Sequence, residues 1–484
     1  MPVLHRTHRL PRLLLILLVL MLEAGTLSVA ARPVHANEVP TTDPVRELAR
    51  VAEPLRSTVP GAPDGDLRPL GRMIGSAKIV GLGEATHGSR QFFTMKQRVF
   101  RYLVEEKGFT TFALEAPWST GLVLNEYVLY GKGDPAKIMR KEFQSSYRIW
   151  NTGEYLDLLR WMRAHNVRHP DHPVQFMGED NGYAGPELFD EVTHYVSAHH
   201  PKLLPEFRRL YRELRPMGSV EETVNGNLAK PVAERKRTAA MVRRAYELLQ
   251  AQGPHGDGQA YEWALQHARA ISQTGTLYAY YDFDDPEKIA QAMLYRDQVM
   301  AENTVWWQRH TGHRMLLSAH NGHVSYESDN PEQYPKTQGE FIRQTAGAEY
   351  MNIGYTFGQG AFNAMDLTDP EEPYRRFSVE PLGAGSNEAV LERVSGRDYY
   401  LDLRAVPESA QDWLMAKRPT RSIGNSWPEA LYETSLGRQF DVLIHLHRVT
   451  AADLLPTARE RKPRGCASGV TGAGHPSVRC PRQG

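Results

Sequence analysis

The sequence predicts an α/β fold in which a mostly parallel sheet is flanked by helices. Five short apolar runs, each bounded by glycine or polar residues, are typical of buried parallel strands. Stretches with apolar residues at three- and four-residue spacing lie between these runs and indicate helices. Strands that alternate with helices favour a parallel sheet covered by helices. The predicted strands, in chain order, are 78–82, 110–114, 173–177, 314–318 and 440–444.

Two helical patterns are well defined, and a long third region is rich in helix. A helix is expected to begin after Ser89, which could cap it, because apolar side chains recur there at helical spacing. The stretch 154–164 shows a similar pattern. Residues 186–309 are charged and helical in character, and they are punctuated by prolines. We interpret them as a helical insertion or lid between the third and fourth strands.

The composition excludes several classes of protein. The chain has 484 residues, of which 57 are basic and 57 acidic, so a basic surface for nucleic acid is not expected. Charged residues make up 24% and apolar residues 41%, which is typical of globular proteins. Two cysteines exclude a disulfide-rich scaffold and a cysteine-based zinc finger. The composition does not indicate an oligomeric state.

The two ends of the chain are expected to lie outside the folded domain at 37–456. Residues 1–36 combine early arginines, the apolar run 13–22 and the small-residue site Val34-His35-Ala36, which predicts a secretory signal peptide. We therefore expect a secreted or extracytoplasmic protein. The alternative is an uncleaved membrane anchor, although the run is short for a bilayer span. No later stretch is long enough, so stable membrane insertion is not expected after cleavage.

The C-terminal segment 457–484 is predicted to be a disordered basic tail. It contains almost no large apolar residue and cannot bury enough surface to offset its ordering entropy. Both cysteines, Cys466 and Cys480, lie in it. In an exported protein they form either a local disulfide or two free thiols, and the sequence leaves both open.

Reactive side chains follow four of the predicted strands. In open α/β sheets, ligands bind beyond the carboxyl ends of the strands. If these strands are parallel neighbours, their side chains converge on one cleft. The residues concerned, in chain order, are Glu84 with His87, Glu115, Asp180, and His320 with His323.

The Glu84-x-x-His87 turn is the best candidate for a general base. A histidine at a helix start lies near the positive end of the helix dipole, which favours the neutral ring that accepts a proton from water. Glu84 is close enough in sequence to orient this ring. The alternative is a turn histidine that only satisfies backbone groups. Glu115 follows a buried strand and is either a catalytic carboxylate or half of a structural salt bridge.

The His320-x-x-His323 pair could donate hydrogen bonds to a developing oxyanion or bind a metal. No recognised metal spacing is present, so we expect no cofactor, with a bound divalent metal as the alternative. Asp180 is predicted to bind substrate hydroxyls or to orient a histidine. Lys96 is predicted to reach back to the cleft and bind substrate, and the alternative is a solvated helix residue. The histidines at 445 and 447 are expected to face outward.

Several chemistries are excluded by missing motifs. There is no Gly-x-Ser-x-Gly nucleophile elbow, no phosphate-binding loop and no dinucleotide fingerprint. No cysteine lies in the folded region, so cysteine catalysis is excluded. The simplest remaining chemistry is activation of a water by histidine and glutamate.

These motifs resemble those of the erythromycin esterase family. The resemblance covers about residues 45 to 450 and is specific to the family, not to a substrate. It is carried by Gly83-Glu84-Ala85-Thr86-His87-Gly88, Leu114-Glu115-Ala116, Gly178-Glu179-Asp180 and Ala319-His320-Asn321-Gly322-His323, with further matches at Trp161-Met162-Arg163, Arg296-Asp297, Met300-Ala301-Glu302-Asn303, Gly354-Tyr355-Thr356-Phe357 and Gly360.

The resemblance implies a hydrolase that opens the lactone ester of macrolide antibiotics without a required metal. It makes His87 the general base, tuned by Glu84 and Glu115. It implies that His320 and His323 stabilise the oxyanion or position the water. It also implies that Lys96 occupies a position where the family has a basic residue. Some members of this family carry names from polysaccharide biosynthesis, so the substrate stays open. The alternatives are a metal-dependent hydrolase that uses the same cluster, or an exported binding protein of the same fold without catalysis.

Overall fold

A computed structural model describes residues 43–369 and 374–457 of the chain. The predicted signal peptide at 1–36, and the predicted tail beyond Thr457, lie outside the described residues. Within the described ranges, no helix is both long and apolar enough to cross a membrane.

All five predicted strands are present, together with others that the apolar runs do not predict, among them a 17-residue strand at Tyr350–Asp366. The strands in the described ranges are β1 Glu53–Pro54, β2 Ile79–Leu82, β3 Phe109–Pro117, β4 Gln175–Asp180, β5 Arg314–Ser318, β6 Tyr350–Asp366, β7 Tyr374–Val379, β8 Tyr399–Asp402, β9 Arg418–Thr420, β10 Ser426–Trp427, β11 Tyr432–Thr434 and β12 Val442–Val449.

Helices fill most of the sequence between these strands. The α-helices in the described ranges are α1 Pro44–Val51, α2 Arg68–Ile74, α3 Arg90–Lys107, α4 Trp118–Tyr130, α5 Pro135–Glu142, α6 Gly153–Arg168, α7 Pro186–His199, α8 Leu204–Tyr211, α9 Val220–Leu228, α10 Val232–Gln252, α11 Gly258–Tyr280, α12 Pro286–Thr311, α13 Asn321–Val324, α14 Gln338–Ala346, α15 Asn387–Val394, α16 Glu408–Met415 and α17 Leu436–Gln439. The predicted helices after Ser89 and at 154–164 are α3 and α6.

One sheet organises the molecule. Its order is β1-β8-β12-β6-β2-β5-β3-β4, and β7 and β10 also pair with β6. The six strands from β12 to β4 run parallel to one another, whereas β1, β7 and β8 are antiparallel to their neighbours. The prediction of an α/β fold with a mostly parallel sheet is therefore confirmed.

The strands are buried on both faces, so their side chains alternate between two apolar clusters. Val80 and Leu316 point into a cluster formed with α3 and α6, whereas Ile79 and Leu317 point into a second cluster formed with helices between β4 and β5. Continuous apolar runs in the sequence follow directly from this two-sided burial. Full burial of each such side chain contributes about 1.5–3 kcal/mol to folding.

Helix α3 shows how local sequence produces these layers. Its apolar side chains at the predicted spacing, Phe92, Met95, Val99 and Leu103, are fully buried against the sheet. The helix ends at Gly108, which has a φ of 67° and forms the left-handed cap that glycine favours. Ser89 occupies the N-cap position but does not cap the helix, because its hydroxyl donates to the carbonyl of Ala361 instead.

The helical insertion lies between β4 and β5, which are the third and fourth of the predicted strands. The strand numbers in the structure are one higher than in the prediction, because the two-residue strand β1 precedes them and contains no apolar run. Helices α7 to α12 form this region and cover one face of the sheet, where they build the second apolar cluster. This arrangement matches the insertion predicted at 186–309.

Candidate active site

The four predicted strand ends meet at one edge of the sheet. Strands β2, β5, β3 and β4 are adjacent in that order and parallel, so their carboxyl ends lie side by side. Strand β3 is longer than predicted and contains Glu115, and β4 ends on Asp180. The turn after β2 carries Glu84 and His87, and α13 follows β5 with His320 as its N-cap.

A buried chain of three polar side chains runs from the first strand end. The Nδ1 atom of His87 lies 2.6 Å from Oε1 of Glu84, and Nζ of Lys96 lies 2.5 Å from Oε2 of the same carboxylate. Lys96 also donates to the carbonyl of Ala319 at 3.1 Å. Burial lowers the pKa of Lys96, and Glu84 partly offsets this effect. Lys96 therefore contacts Glu84 from α3 and is not a solvated helix residue.

Glycine is required in the turn that carries His87. A Cβ atom on Gly88 would lie 1.9 Å from the carbonyl oxygen of Asn363 in β6. The carbonyl of Gly88 accepts hydrogen bonds from the amides of Asn363 and Ala452. The turn is thus packed backbone to backbone against β6, and only a residue without a side chain fits there.

His87 keeps one ring nitrogen available. Nδ1 of His87 is engaged by the carboxylate of Glu84 at 2.6 Å, a contact in which the imidazole nitrogen is the donor. Nε2 has no hydrogen-bond partner among the described residues. The ring packs against Trp150 and His320, with centroid distances of 5.0 Å to each. The arrangement is that of a carboxylate-oriented base whose second ring nitrogen is not engaged by the described residues.

A second chain joins Glu115, His323 and Asp297. The two nitrogens of His323 lie 2.8 Å from Oδ1 of Asp297 and 3.2 Å from Oε1 of Glu115. Burial opposes the charged ring, but the two carboxylates raise the pKa of His323 to about 10. For Glu115, burial is outweighed by His323, His87 and Arg296, which hold its pKa well below the ordinary value. The two flanking carboxylates therefore favour the charged form of His323.

Arg296 connects this chain to Asp180. Its guanidinium donates two bonds to Asp180, at 3.1 and 2.7 Å, and one to Glu115 at 2.9 Å. Asp180 also accepts from the hydroxyl of Tyr147 at 2.7 Å and is fully buried. A planar fork that engages two carboxylates fixes their relative position. Asp180 therefore orients Arg296, and none of its bonds leads to solvent.

His320 is held by backbone groups on both sides of its ring. Nε2 donates to the carbonyl of Ile423 at 3.1 Å, and Nδ1 accepts from the amide of Gly322 at 3.2 Å. Burial, and then the nearby His87, keep the pKa of His320 well below its ordinary value. The ring is a neutral wall of the site, because neither nitrogen is left to donate to an oxyanion.

The site is nearly closed. Its predicted residues range from 0% exposed for Glu84 to 9% exposed for His320. An open depression of about 450 Å³ is lined by residues of α7 and α8, such as Asp190 and Arg208, and by none of the strand-end residues. Entry of a bulky ligand to the strand ends therefore requires surrounding segments to move.

Four contributors to the site lack a sequence-based assignment of role. Arg296 and Asp297 come from the helical insertion, and Tyr147 and Trp150 come from the 3-10 helix 145–150. In the sequence, Arg296-Asp297 is noted only as a motif of the family resemblance. One charged pair in a charged helix does not otherwise indicate a role in the site. Tyr147 and Trp150 follow no strand, so the strand-end pattern does not reach them.

Among the described residues, the strand-end side chains do not bring three histidine or acidic ligand atoms within 4.8 Å of one another. In residues 43–369 and 374–457, one set of three histidine or acidic side chains brings its ligand atoms within 4.8 Å. It consists of Glu392, His445 and His447 and lies outside the strand-end site.

Comparison with known proteins identifies relatives over most of the chain. The model of the family described as erythromycin esterase matches residues 104–449. The erythromycin esterase type II of Escherichia coli is 22% identical over 370 residues, which are 72% of this chain and 85% of that protein.

Solved structures show the same fold. A succinoglycan biosynthesis protein, with 29% identity and a TM-score of 0.75, covers 87% of this chain and 100% of its own. A mutant of the erythromycin esterase EreC in an open conformation superposes with a TM-score of 0.65 and 19% identity, over 80% of this chain and 94% of that protein. At that identity the second likeness concerns the fold alone.

Proposed function

The chain belongs to the erythromycin esterase family, and on this premise we propose that it hydrolyses an ester or lactone with a water molecule activated by His87. The observation that supports this most directly is the 2.6 Å contact between Nδ1 of His87 and Glu84. It orients the ring and leaves Nε2 free to accept a proton.

The reaction needs a base, and the first chain of polar residues supplies it. Nε2 of His87 takes one proton from water while the water oxygen bonds to the acyl carbon of the substrate. Glu84 stabilises the imidazolium that forms, and the ammonium of Lys96 lies 2.5 Å from the second oxygen of this carboxylate. Collapse of the tetrahedral intermediate breaks the bond to the alcohol oxygen. That oxygen receives the proton from Nε2 of His87, and an acid and an alcohol leave.

The negative charge that develops on the acyl oxygen needs a positive field. We assign this role to Arg296 and to the imidazolium of His323, whose nearest atoms lie 3.1 Å apart. The two cations are held by Glu115, Asp180 and Asp297, so they need not reorganise during the reaction. His320 shapes the wall beside His87.

The proposed substrate is a small-molecule ester, with macrolide lactones as the first candidate. The family supports the chemistry, whereas the names of the relatives range from erythromycin esterase to succinoglycan biosynthesis. We further propose that the protein is exported by the segment 1–36 and clears macrolides from the surroundings. Recovery from the culture medium of a chain that begins after Ala36 is the expected result. Retention of the full N-terminus in the cell would contradict it.

The test is mass spectrometry of a macrolide and simple-ester panel after incubation in ¹⁸O-labelled water. The wild type is expected to add one labelled water to a substrate, and His87→Ala is expected to add none. His194→Ala, which removes an exposed histidine on α7, is the matched control and keeps full turnover. Circular dichroism shows whether each variant is folded. Hydrolysis by folded His87→Ala at the wild-type rate would refute the assignment of the base.

A further inference from the structure

A second cluster of ionisable side chains lies on the far strands of the sheet. His445 and His447 are two residues apart on β12 and therefore point to the same face of the strand. Glu392 reaches them from α15, which packs on that face. The expectation that these histidines face outward is wrong, since His445 is fully buried and His447 is mostly buried.

The three side chains approach one another closely. Oε1 of Glu392 lies 2.9 Å from Nε2 of His445, and Oε2 lies 2.9 Å from Nδ1 of His447. One potential ligand atom from each residue lies within 4.8 Å of the others. In the proposed reaction at the strand ends, none of these groups has a part.

We propose that Glu392, His445 and His447 form a binding site for one Zn²⁺ ion, separate from the strand-end site. Two imidazole nitrogens and one carboxylate oxygen are donors that suit zinc and other late divalent metals rather than Mg²⁺ or Ca²⁺. Three protein ligands leave the fourth tetrahedral position for water. The side chains of Glu392 and His447 are 25% and 23% exposed, so water and metal can enter from that side.

The surroundings hold two of the ligands in place. A Cβ atom on Gly358 would lie 1.9 Å from Oε1 of Glu392, so this glycine leaves the space that the carboxylate occupies. Nδ1 of His445 lies 2.9 Å from the hydroxyl of Thr356. With a metal on Nε2, the Nδ1 proton of His445 is donated to that hydroxyl. A hydrogen bond to the second nitrogen is how metal-binding imidazoles are commonly oriented.

Zinc bonds of about 2.0–2.2 Å in a tetrahedron place ligand atoms about 3.3 Å apart. Each imidazole nitrogen now lies 2.9 Å from a different oxygen of Glu392, and one ligand atom from each residue lies within 4.8 Å of the others, so the three side chains close around the ion when it binds. Each imidazole binds the metal as a neutral ring, so the proton that it now directs at Glu392 moves to its other ring nitrogen when the metal binds. The ion would then join α15 to β12, so the folded state is stabilised whenever zinc is bound.

The direct test is zinc binding to the full chain, prepared without a histidine tag and stripped of metal by a chelator. Titration calorimetry is expected to give one Zn²⁺ per chain, and Co²⁺ in its place is expected to give the visible absorption of a tetrahedral site. His447→Gln and Glu392→Gln are each expected to weaken zinc binding at least 100-fold. Zinc should raise the Tm of the wild type and leave the Tm of these variants unchanged.

Three controls separate this site from other zinc ligands in the chain. His194→Gln changes an exposed histidine on α7, His87→Ala changes the strand-end site, and Cys466→Ser with Cys480→Ser removes both thiols. All three are expected to retain the single zinc. Zinc binding that survives His447→Gln and Glu392→Gln, or that is lost in any of the controls, would overturn the proposal. So would the absence of stoichiometric binding by the folded wild type.

Discussion

The ammonium of Lys96 lies 2.5 Å from Oε2 of Glu84, and both side chains are buried, at 1% and 0% exposure. Their contact determines how the first polar chain of the site is built. The carboxylate receives Lys96 on one oxygen and His87 on the other. Since a buried carboxylate without a cation is costly, the contact with Lys96 stabilises Glu84 in the position where it orients the proposed base.

Replacement of Lys96 by methionine is expected to destabilise the protein strongly. Removing one partner of a buried ion pair leaves an uncompensated charge, and the cost is about 3–5 kcal/mol in the free energy of unfolding. Turnover should fall with it, because Glu84 loses the contact with Lys96 that holds it in place against His87. Urea denaturation measures the first effect, and the esterase assay measures the second.

Lys78→Met is the matched control for this prediction. Lys78 pairs with Glu349 on the surface, where both side chains are 47% exposed, so its loss should cost less than about 1 kcal/mol. The double variant with Glu84→Gln and Lys96→Met should regain part of the stability lost in Lys96→Met. Equal stability of Lys96→Met and Lys78→Met would show that the buried pair does not have this role.

Alanine at Gly88 is expected to displace the turn that carries His87. Its Cβ would lie 1.9 Å from the carbonyl oxygen of Asn363, and backbone atoms of a central strand cannot move aside cheaply. We expect a loss of about 1–3 kcal/mol in stability together with a lower kcat. Gly226 lies on the exposed face of α9, and a Cβ atom added there would meet no neighbouring atom within 4 Å. Gly226→Ala should therefore raise the free energy of unfolding by up to about 1 kcal/mol. A normal kcat in Gly88→Ala would contradict the need for glycine at this position.

Glu179 predicts a pH dependence of stability. Burial raises the pKa of this carboxyl to about 8, although Thr304 and Gln338 donate to its Oε2 at 2.7 Å. The folded state therefore keeps a proton that the unfolded state releases near pH 4.5. The stabilisation of the folded state by this retained proton is fully present below pH 4.5 and is lost as pH rises to about 8. Between these values the free energy of unfolding falls by about 1.4 kcal/mol per pH unit.

Glu179→Gln, which imitates the protonated carboxyl, tests this dependence. The variant should match the wild type near pH 5 and exceed it by a few kcal/mol near pH 8, on the order expected for such a shift. Guanidinium denaturation at both values measures the difference. Glu340→Gln, at a partly exposed glutamate on α14, is the control, and its free energy of unfolding should differ from that of the wild type by the same amount at both pH values. If the difference for Glu179→Gln were also the same at both pH values, a raised pKa of Glu179 would be refuted.

The strand ends were predictable because strands that are buried on both faces appear in the sequence as continuous apolar runs. Each of β2, β3, β4 and β5 is a short apolar run, and the reactive residues stand where each run ends. Parallel pairing then brings Glu84, Glu115 and His320 together without any further information. The inference requires these strands to be neighbours, and it succeeds because β2, β5, β3 and β4 are adjacent in the sheet.

The strand β6 and the helical contribution to the site were not predictable in this way. Strand β6 contains Asn352, whose side chain donates to the carbonyls of Val324 and Gln439, so its sequence is not a continuous apolar run. Arg296 lies 181 positions from Glu115 in sequence, and only the folded insertion brings them within 2.9 Å. Local patterns report burial and periodicity, whereas such contacts depend on how distant segments pack.

Asp297 is predicted to keep His323 charged. The carboxylate lies 2.8 Å from Nδ1 of His323, and with Glu115 it raises the pKa of the ring to about 10 against the effect of burial. In Asp297→Asn the amide no longer offsets burial, so the pKa of His323 should fall by more than one unit. The imidazolium would then lose its proton at alkaline pH, and kcat should decline there while the wild type stays active.

Nitrogen NMR of histidine-labelled protein measures this directly, with the His323 signal assigned from His323→Asn. Both ring nitrogens of His323 should be protonated at pH 8 in the wild type and in Asp190→Asn, whose carboxylate is 65% exposed and pairs with Arg215. Asp297→Asn should show the neutral ring at a lower pH than either. If instead the ring in the wild type is neutral at pH 8, Nε2 accepts from Arg296, which lies 3.1 Å away. Arg296 alone would then supply the positive field for the oxyanion. Asp297→Asn would in that case leave the dependence of kcat on pH unchanged at alkaline pH.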